Sequence, residues 1–111
     1  MLQISIRQSD KTAILDVSGD VDLATSPELR KALLRELREL RIPRVLLNLK
    51  EVRYIDSSGV ASLVEGLKAS RDVGSRLVLF GLNSAVREVL QLSKLVKIFE
   101  ITETEEQAVA R

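Results

Sequence analysis

Two adjacent hydroxyls, Ser57 and Ser58, sit in the run Tyr54, Ile55, Asp56, Ser57, Ser58, Gly59, Val60, where a strand-like apolar segment ends and a helical pattern begins. The first turn of a helix leaves backbone N–H groups without intrahelical partners and carries the positive end of the macrodipole. A phosphate esterified to either serine would be held favourably there. Modification of a hydroxyl is therefore the chemistry this spacing favours. A helix that needs only a cap is served by one aspartate or serine, worth about 0.5–2 kcal/mol over alanine, so redundant capping is the competing reading of Asp56, Ser57 and Ser58. Gly59 argues against that reading, because in a first turn it costs about 1 kcal/mol relative to alanine and caps nothing. Its best use is to let another backbone or a nucleotide approach closely. Asp20 and Asp22 follow Gly19 in what reads as a polar loop at the end of a neighbouring strand.

The composition narrows the function classes. Histidine and cysteine are both absent, which removes the commonest general base, the commonest metal ligand, thiolate metal sites and disulfides. An enzyme built on Asp20, Asp22 and Asp56, with a metal or as acid and base, is the weakest class. No cofactor and no metal are expected. Lys+Arg 17 against Asp+Glu 16 gives a formal charge of +1, which supplies neither a basic field for nucleic acid nor a polybasic membrane anchor. Aromatic residues, at 3%, are too few for the stacking platforms of single-strand binders. The expected partner is another protein or a small molecule. With 45% of 111 residues apolar, one domain spanning residues 1–111 can bury a core without staples. Met1 through Asp10 alternates and does not read as a signal peptide, no apolar run approaches a membrane span, and a cytoplasmic location is expected.

The elements that must position these residues follow from periodicity. Leu2, Ile4 and Ile6, then Ala13, Leu15 and Val17, alternate with polar residues across a turn at Ser9 to Lys11 and predict a hairpin. Thr25 and Glu28 have capping-box spacing, with Pro27 in the first turn, for a helix whose buried stripe is Leu29, Leu33, Leu37 and Leu40 and which Pro43 ends. Val45 through Leu49 predicts a strand covered on both faces, near the middle of the sheet. A second helix starts near Ser57, carries Val60, Leu63, Val64 and Leu67, and stops between Asp72 and Gly74. Its exposed face is expected to include Ser58, Ser62, Glu65 and Lys68. Leu77 to Phe80 is a further strand. Asn83 or Ser84 caps a third helix with Val86, Val89, Leu90 and Leu92 inward. Val96, Ile98, Phe99 and Ile101 form a last strand, and Thr102 with Glu105 caps a short terminal helix. The order favours a small mixed sheet of the α/β class with right-handed crossovers and helices packed on it.

Gly19, Asp20, Val21, Asp22 before a helix, Val45 through Leu49, and Ile55, Asp56, Ser57, Ser58, Gly59 opening a second helix resemble the STAS domain, specifically the single-domain bacterial anti-sigma factor antagonists. The likeness spans nearly the whole chain, and it implies helices grouped mainly on one side of the sheet. It also implies that Ser57 is phosphorylated by a partner anti-sigma factor that is an ATP-dependent serine kinase, with Ser58 a secondary site. A PP2C-type phosphatase would act on the phosphorylated form. Partner binding is expected at Asp20, Asp22, Asp56, Ser57, Ser58, Gly59 and Ser62, with Asp22 facing the phosphorylation region. Where many such antagonists have Gly, Leu, Gly after the serines, this chain has Gly59, Val60, Ala61. Small residues at that last position also occur in STAS proteins of lipid-transport ABC systems, so an accessory subunit without serine chemistry is the alternative.

Overall fold

The computed structural model describes residues 1–111. In chain order the elements are β1 (Leu2–Ser9), β2 (Thr12–Val21), α1 (Ser26–Leu34), a π-helical turn (Arg35–Glu39), β3 (Arg44–Ile55), α2 (Ser57–Val73), β4 (Arg76–Phe80), α3 (Ser84–Leu92), β5 (Glu100–Thr102) and α4 (Glu105–Val109). The five strands form one sheet in the order β1-β2-β3-β4-β5, antiparallel only between β1 and β2. The mixed α/β sheet read from the sequence is thus present, with β3 at its centre.

Sequential order has a consequence for the layers. Each crossover from β2 to β5 moves one strand in the same direction, and right-handed crossovers then place their helices on the same face. The larger core cluster accordingly joins Leu29 and Leu33 of α1, Leu63 and Leu67 of α2 and Val86 and Leu90 of α3 to Val45, Leu47 and Leu49 of β3. On the other face, Ala108 of α4 joins Ile14, Leu46, Val78 and Phe80. The first half of β3 is therefore buried on both sides, as its dense apolar run, interrupted by Asn48, requires. A sheet whose strand order never reverses also has no switch-point crevice of the kind that holds nucleotides in doubly wound folds.

Several boundaries differ from the sequence reading. Asp20 and Val21 lie in β2 rather than in a loop, because Gly19, at φ +107°, takes up a register irregularity that lets β2 continue beside β3. Leu40 is 44% exposed, because the turn before it bonds Leu40 N to Arg35 O at 2.9 Å, and this wider ring shifts the helical phase. Leu92, 76% exposed, also leaves the core. The last strand is only Glu100–Thr102; Ile98 N bonds Leu95 O at 3.1 Å and makes the preceding segment a turn. The capping box sits two residues later than expected, on Thr104 and Gln107, since Thr102 pairs with Phe80 in the sheet.

A charged fork ties α4 to the open face. The Arg7 guanidinium donates to Asp16 at 2.6 and 2.8 Å and to Glu105 at 2.8 and 3.2 Å, and Asn48 Nδ2 donates to Asp16 at 2.8 Å. Hydrogen bonding by Arg7 holds both carboxyls below their ordinary range, more than offsetting their partial desolvation. Carboxylates with lowered folded pKa values contribute stability above the ordinary carboxylate range and lose it as pH falls through the folded values. Thermal melts from neutral pH down to strongly acidic pH should therefore show a loss that Arg7→Gln reduces by about 0.5–1 kcal/mol, the scale left after solvent screening. An identical acid profile in Arg7→Gln would show that the fork contributes nothing.

Candidate functional site

The C-terminal ends of β2 and β3 lie side by side, Asp20 beside Tyr54 and Val21 beside Ile55. The Asp56 amide donates to the Val21 carbonyl at 3.1 Å. Gly59 is buried just beyond it. A Cβ at Gly59 would fall 2.5 Å from Ile55 Cγ1, 2.7 Å from Val21 Cγ1 and 3.0 Å from the Val21 oxygen. The close backbone approach expected of Gly59 is made by the chain's own β2. It locks the start of α2 to the sheet.

Asp56 is the N-cap of α2 in extended backbone, and its Oδ1 accepts from Ser58 N at 2.9 Å and Gly59 N at 3.1 Å. Its carbonyl accepts from Val60 N at 3.0 Å. Two of the first-turn donors that a phosphate on the serines was expected to use, the Ser58 and Gly59 amides, are thus already held by the capping aspartate. A phosphate on Ser57 would stand beside a carboxylate, with water as its main solvation. Ser57 itself is exposed, and its hydroxyl makes no hydrogen bond within the chain.

Ser57, Ala61, Glu65 and Lys68 are all exposed at helical spacing and form one outer stripe of α2. Ser58 is half-buried. Ser62 corrects the sequence reading: it is 5% exposed, and its hydroxyl donates to Ser26 O at 3.2 Å and Ser58 O at 3.3 Å. It belongs to the seam between α1 and α2, where the two carbonyls satisfy a buried hydroxyl. Glu65 pairs with Arg30 across the same two helices at the surface.

The acidic residues are each engaged separately. Asp20 is 3.8 Å from Arg53. The Asp22 carboxylate accepts from Ala24 N at 3.0 Å and Thr25 N at 3.1 Å. These bonds, the Thr25 amide foremost, lower its pKa. Asp22 thus shapes its own turn, and Thr25 donates its hydroxyl to Asp20 O at 2.7 Å instead of capping α1 as expected. Periodicity missed Leu23, 76% exposed, and Tyr54, 53% exposed, at the same rim. A leucine inside a polar turn was the available signal.

The STAS domain family matches residues 3–108 of this sequence. The chain belongs to the STAS domain family. An anti-sigma-B factor antagonist of Listeria monocytogenes is 34% identical over 106 residues, covering 94% of this chain and 91% of that protein. A solved structure from Thermotoga maritima superposes with a TM-score of 0.89 at 24% identity, covering 96% of this chain and 92% of that one. The Bacillus cell fate determinant SpoIIAA in its phosphorylated form superposes with a TM-score of 0.75 at 21% identity over 98% of both chains. In this STAS domain the serine pair opens α2 at the end of the central strand, and no helix is long and apolar enough to cross a membrane.

Proposed function

We propose that this STAS domain, residues 1–111, is a phosphorylation-switched anti-sigma factor antagonist acting in the cytoplasm, which binds an anti-sigma factor serine kinase while Ser57 is unmodified. The observation that carries this reading is the open Ser57 hydroxyl at the head of the exposed α2 stripe. The 34% identity to an anti-sigma-B factor antagonist favours it over an accessory role in lipid transport. In the reaction the γ-phosphoryl group of ATP passes to Ser57 Oγ, ADP leaves, and the hydroxyl proton goes to a base on the kinase. A PP2C-type phosphatase hydrolyses the ester and restores the binding form.

The switch acts by local charge. Phosphorylation adds about −1.5 to −2 charge, and it does so beside the Asp56 carboxylate, which is held by two amides of the helix. An interface fitted to a neutral hydroxyl has no counter-charge there, whereas the free domain leaves the phosphate in water. The modification therefore separates bound from free rather than folded from unfolded. Incubation with the candidate kinase and ATP, followed by peptide mass mapping, is expected to place one phosphate on Ser57. Phosphate found on another residue, or none at all with a kinase that binds the domain, would overturn the assignment.

A further inference from the structure

We propose that the outer edge of β1 is a docking edge for a second copy of this chain, pairing antiparallel with the same strand of that copy to give a two-fold dimer. This proposal is independent of the phosphorylation reading.

The two edges of the sheet are treated differently. Exposed edges carry unpaired backbone donors and acceptors, and natural sheets blunt them by shortness, proline, charge, bulges or a covering element. β5 is blunted by being only three residues long. β1 runs for eight residues without proline, and its register with β2 is continuous from Leu2 beside Gly19 to Ser9 beside Thr12. Its other side pairs with no strand. One edge is thus protected and the other is left long and regular.

The side chains of β1 fit a copy of themselves. Leu2, Ile4 and Ile6 share one face of the strand by alternation. Leu2 is buried and Ile4 is packed against the main cluster, but Ile6 is 43% exposed. Ile6 and Leu40, the latter 44% exposed, are the two apolar residues of a shallow recess at this edge that Gln8, Arg35 and Glu36 also line. The only charged side chain in β1 is Arg7, and it is already held by Asp16 and Glu105. An approaching copy therefore meets little like-charge repulsion from β1 itself. With Ser5 set opposite Ser5 of the copy, Ile4 meets Ile6 and Gln3 meets Arg7, twice over by symmetry. Such pairing extends the apolar layer of each protomer into that of the other.

The dimer is a weak one, since an edge of this length buries less than the roughly 1,200 Å² that separates transient from stable interfaces. It also leaves both serine sites free. Ser57 lies at the end of β3, two strands from the edge, and antiparallel copies point these ends in opposite directions.

Sedimentation of the full chain between about 1 µM and about 1 mM tests the proposal, a range set by the weak end of specific association. The expected result is a monomer–dimer equilibrium that Ile6→Lys weakens by at least about tenfold, a lysine at an edge being a common block to pairing. Circular dichroism of Ile6→Lys checks that it folds. Hydrogen exchange on the unsubstituted chain gives an independent readout: the β1 amides not bonded to β2 slow as concentration rises. A monomer throughout the range, or a dimer with unchanged β1 exchange, overturns the proposal. Protection of β1 that appears only when a different protein is added also overturns it, by assigning the edge to a foreign strand.

Discussion

Ser57→Glu is expected to bind the cognate anti-sigma factor at least about 100-fold more weakly than the unsubstituted chain, a loss of about 2.7 kcal/mol. Ser57→Ala should stay within about twofold, the scale of an exposed substitution. The difference rests on where the charge falls. Ser57 is exposed and unbonded, so removing its hydroxyl breaks nothing inside the domain. A carboxylate there faces Asp56, whose oxygen already accepts from the Ser58 and Gly59 amides. Burying that added charge under a partner without a counter-charge costs several kcal/mol. The same substitution should change the melting temperature little, since a negative group at a helix start contributes only about 0.3–1 kcal/mol even where donors are free. Calorimetric titration with the purified kinase, alongside thermal melts, separates the two effects. Equal affinities for the Ala and Glu variants would remove Ser57 from the switch.

What the sequence disclosed and what it hid divide along physical lines. Topology was legible because long apolar runs and regular helical stripes leave few ways to pack, and the crossover rule then chooses the face. The serine pair was legible because a strand end followed by Asp56 and a helix is a local pattern. Ser62 was misread because its type signals exposure, while its burial depends on α1, whose Ser26 carbonyl accepts its hydroxyl across 36 residues of chain. Asp22 looked free to face the site, yet two amides in its own turn hold it. The short terminal helix was placed, but its cap was assigned to the wrong threonine because Thr102 was needed by the sheet. Leu40 left the core with the wider helical turn before it, whereas Ser62 and Thr102 are polar residues whose partners lie in other elements. Local spacing carries no information about such partners.

Gly59 ties the fold to the site, and its substitution gives the largest stability effect expected near Ser57. Replacing a glycine inside a helix by alanine normally gains about 0.5–1 kcal/mol. Here the new Cβ would sit 2.5 Å from Ile55 Cγ1, 2.7 Å from Val21 Cγ1 and 3.0 Å from the Val21 carbonyl oxygen. Both side chains are buried, at 3% and 0% exposure, so neither can swing into solvent. Overpacking of this kind costs about 1–3 kcal/mol, which exceeds the helical gain, so Gly59→Ala should be destabilised by about 1–2 kcal/mol and Gly59→Val by about 3 kcal/mol. Gly66, in the same helix, supplies the control. Its Cβ would meet Leu33 Cδ1 at 3.1 Å and Leu77 Cδ2 at 3.6 Å, both the far ends of leucine side chains. Gly66→Ala should therefore be close to neutral. Denaturant unfolding of the three variants reads the difference directly, and a Gly59→Ala as stable as Gly66→Ala would mean that β2 does not clamp the start of α2. Because the clamp holds Asp56 against Val21, relief of the clash by shifting α2 would also move Ser57, and Gly59→Val should be phosphorylated more slowly even at temperatures where it remains folded.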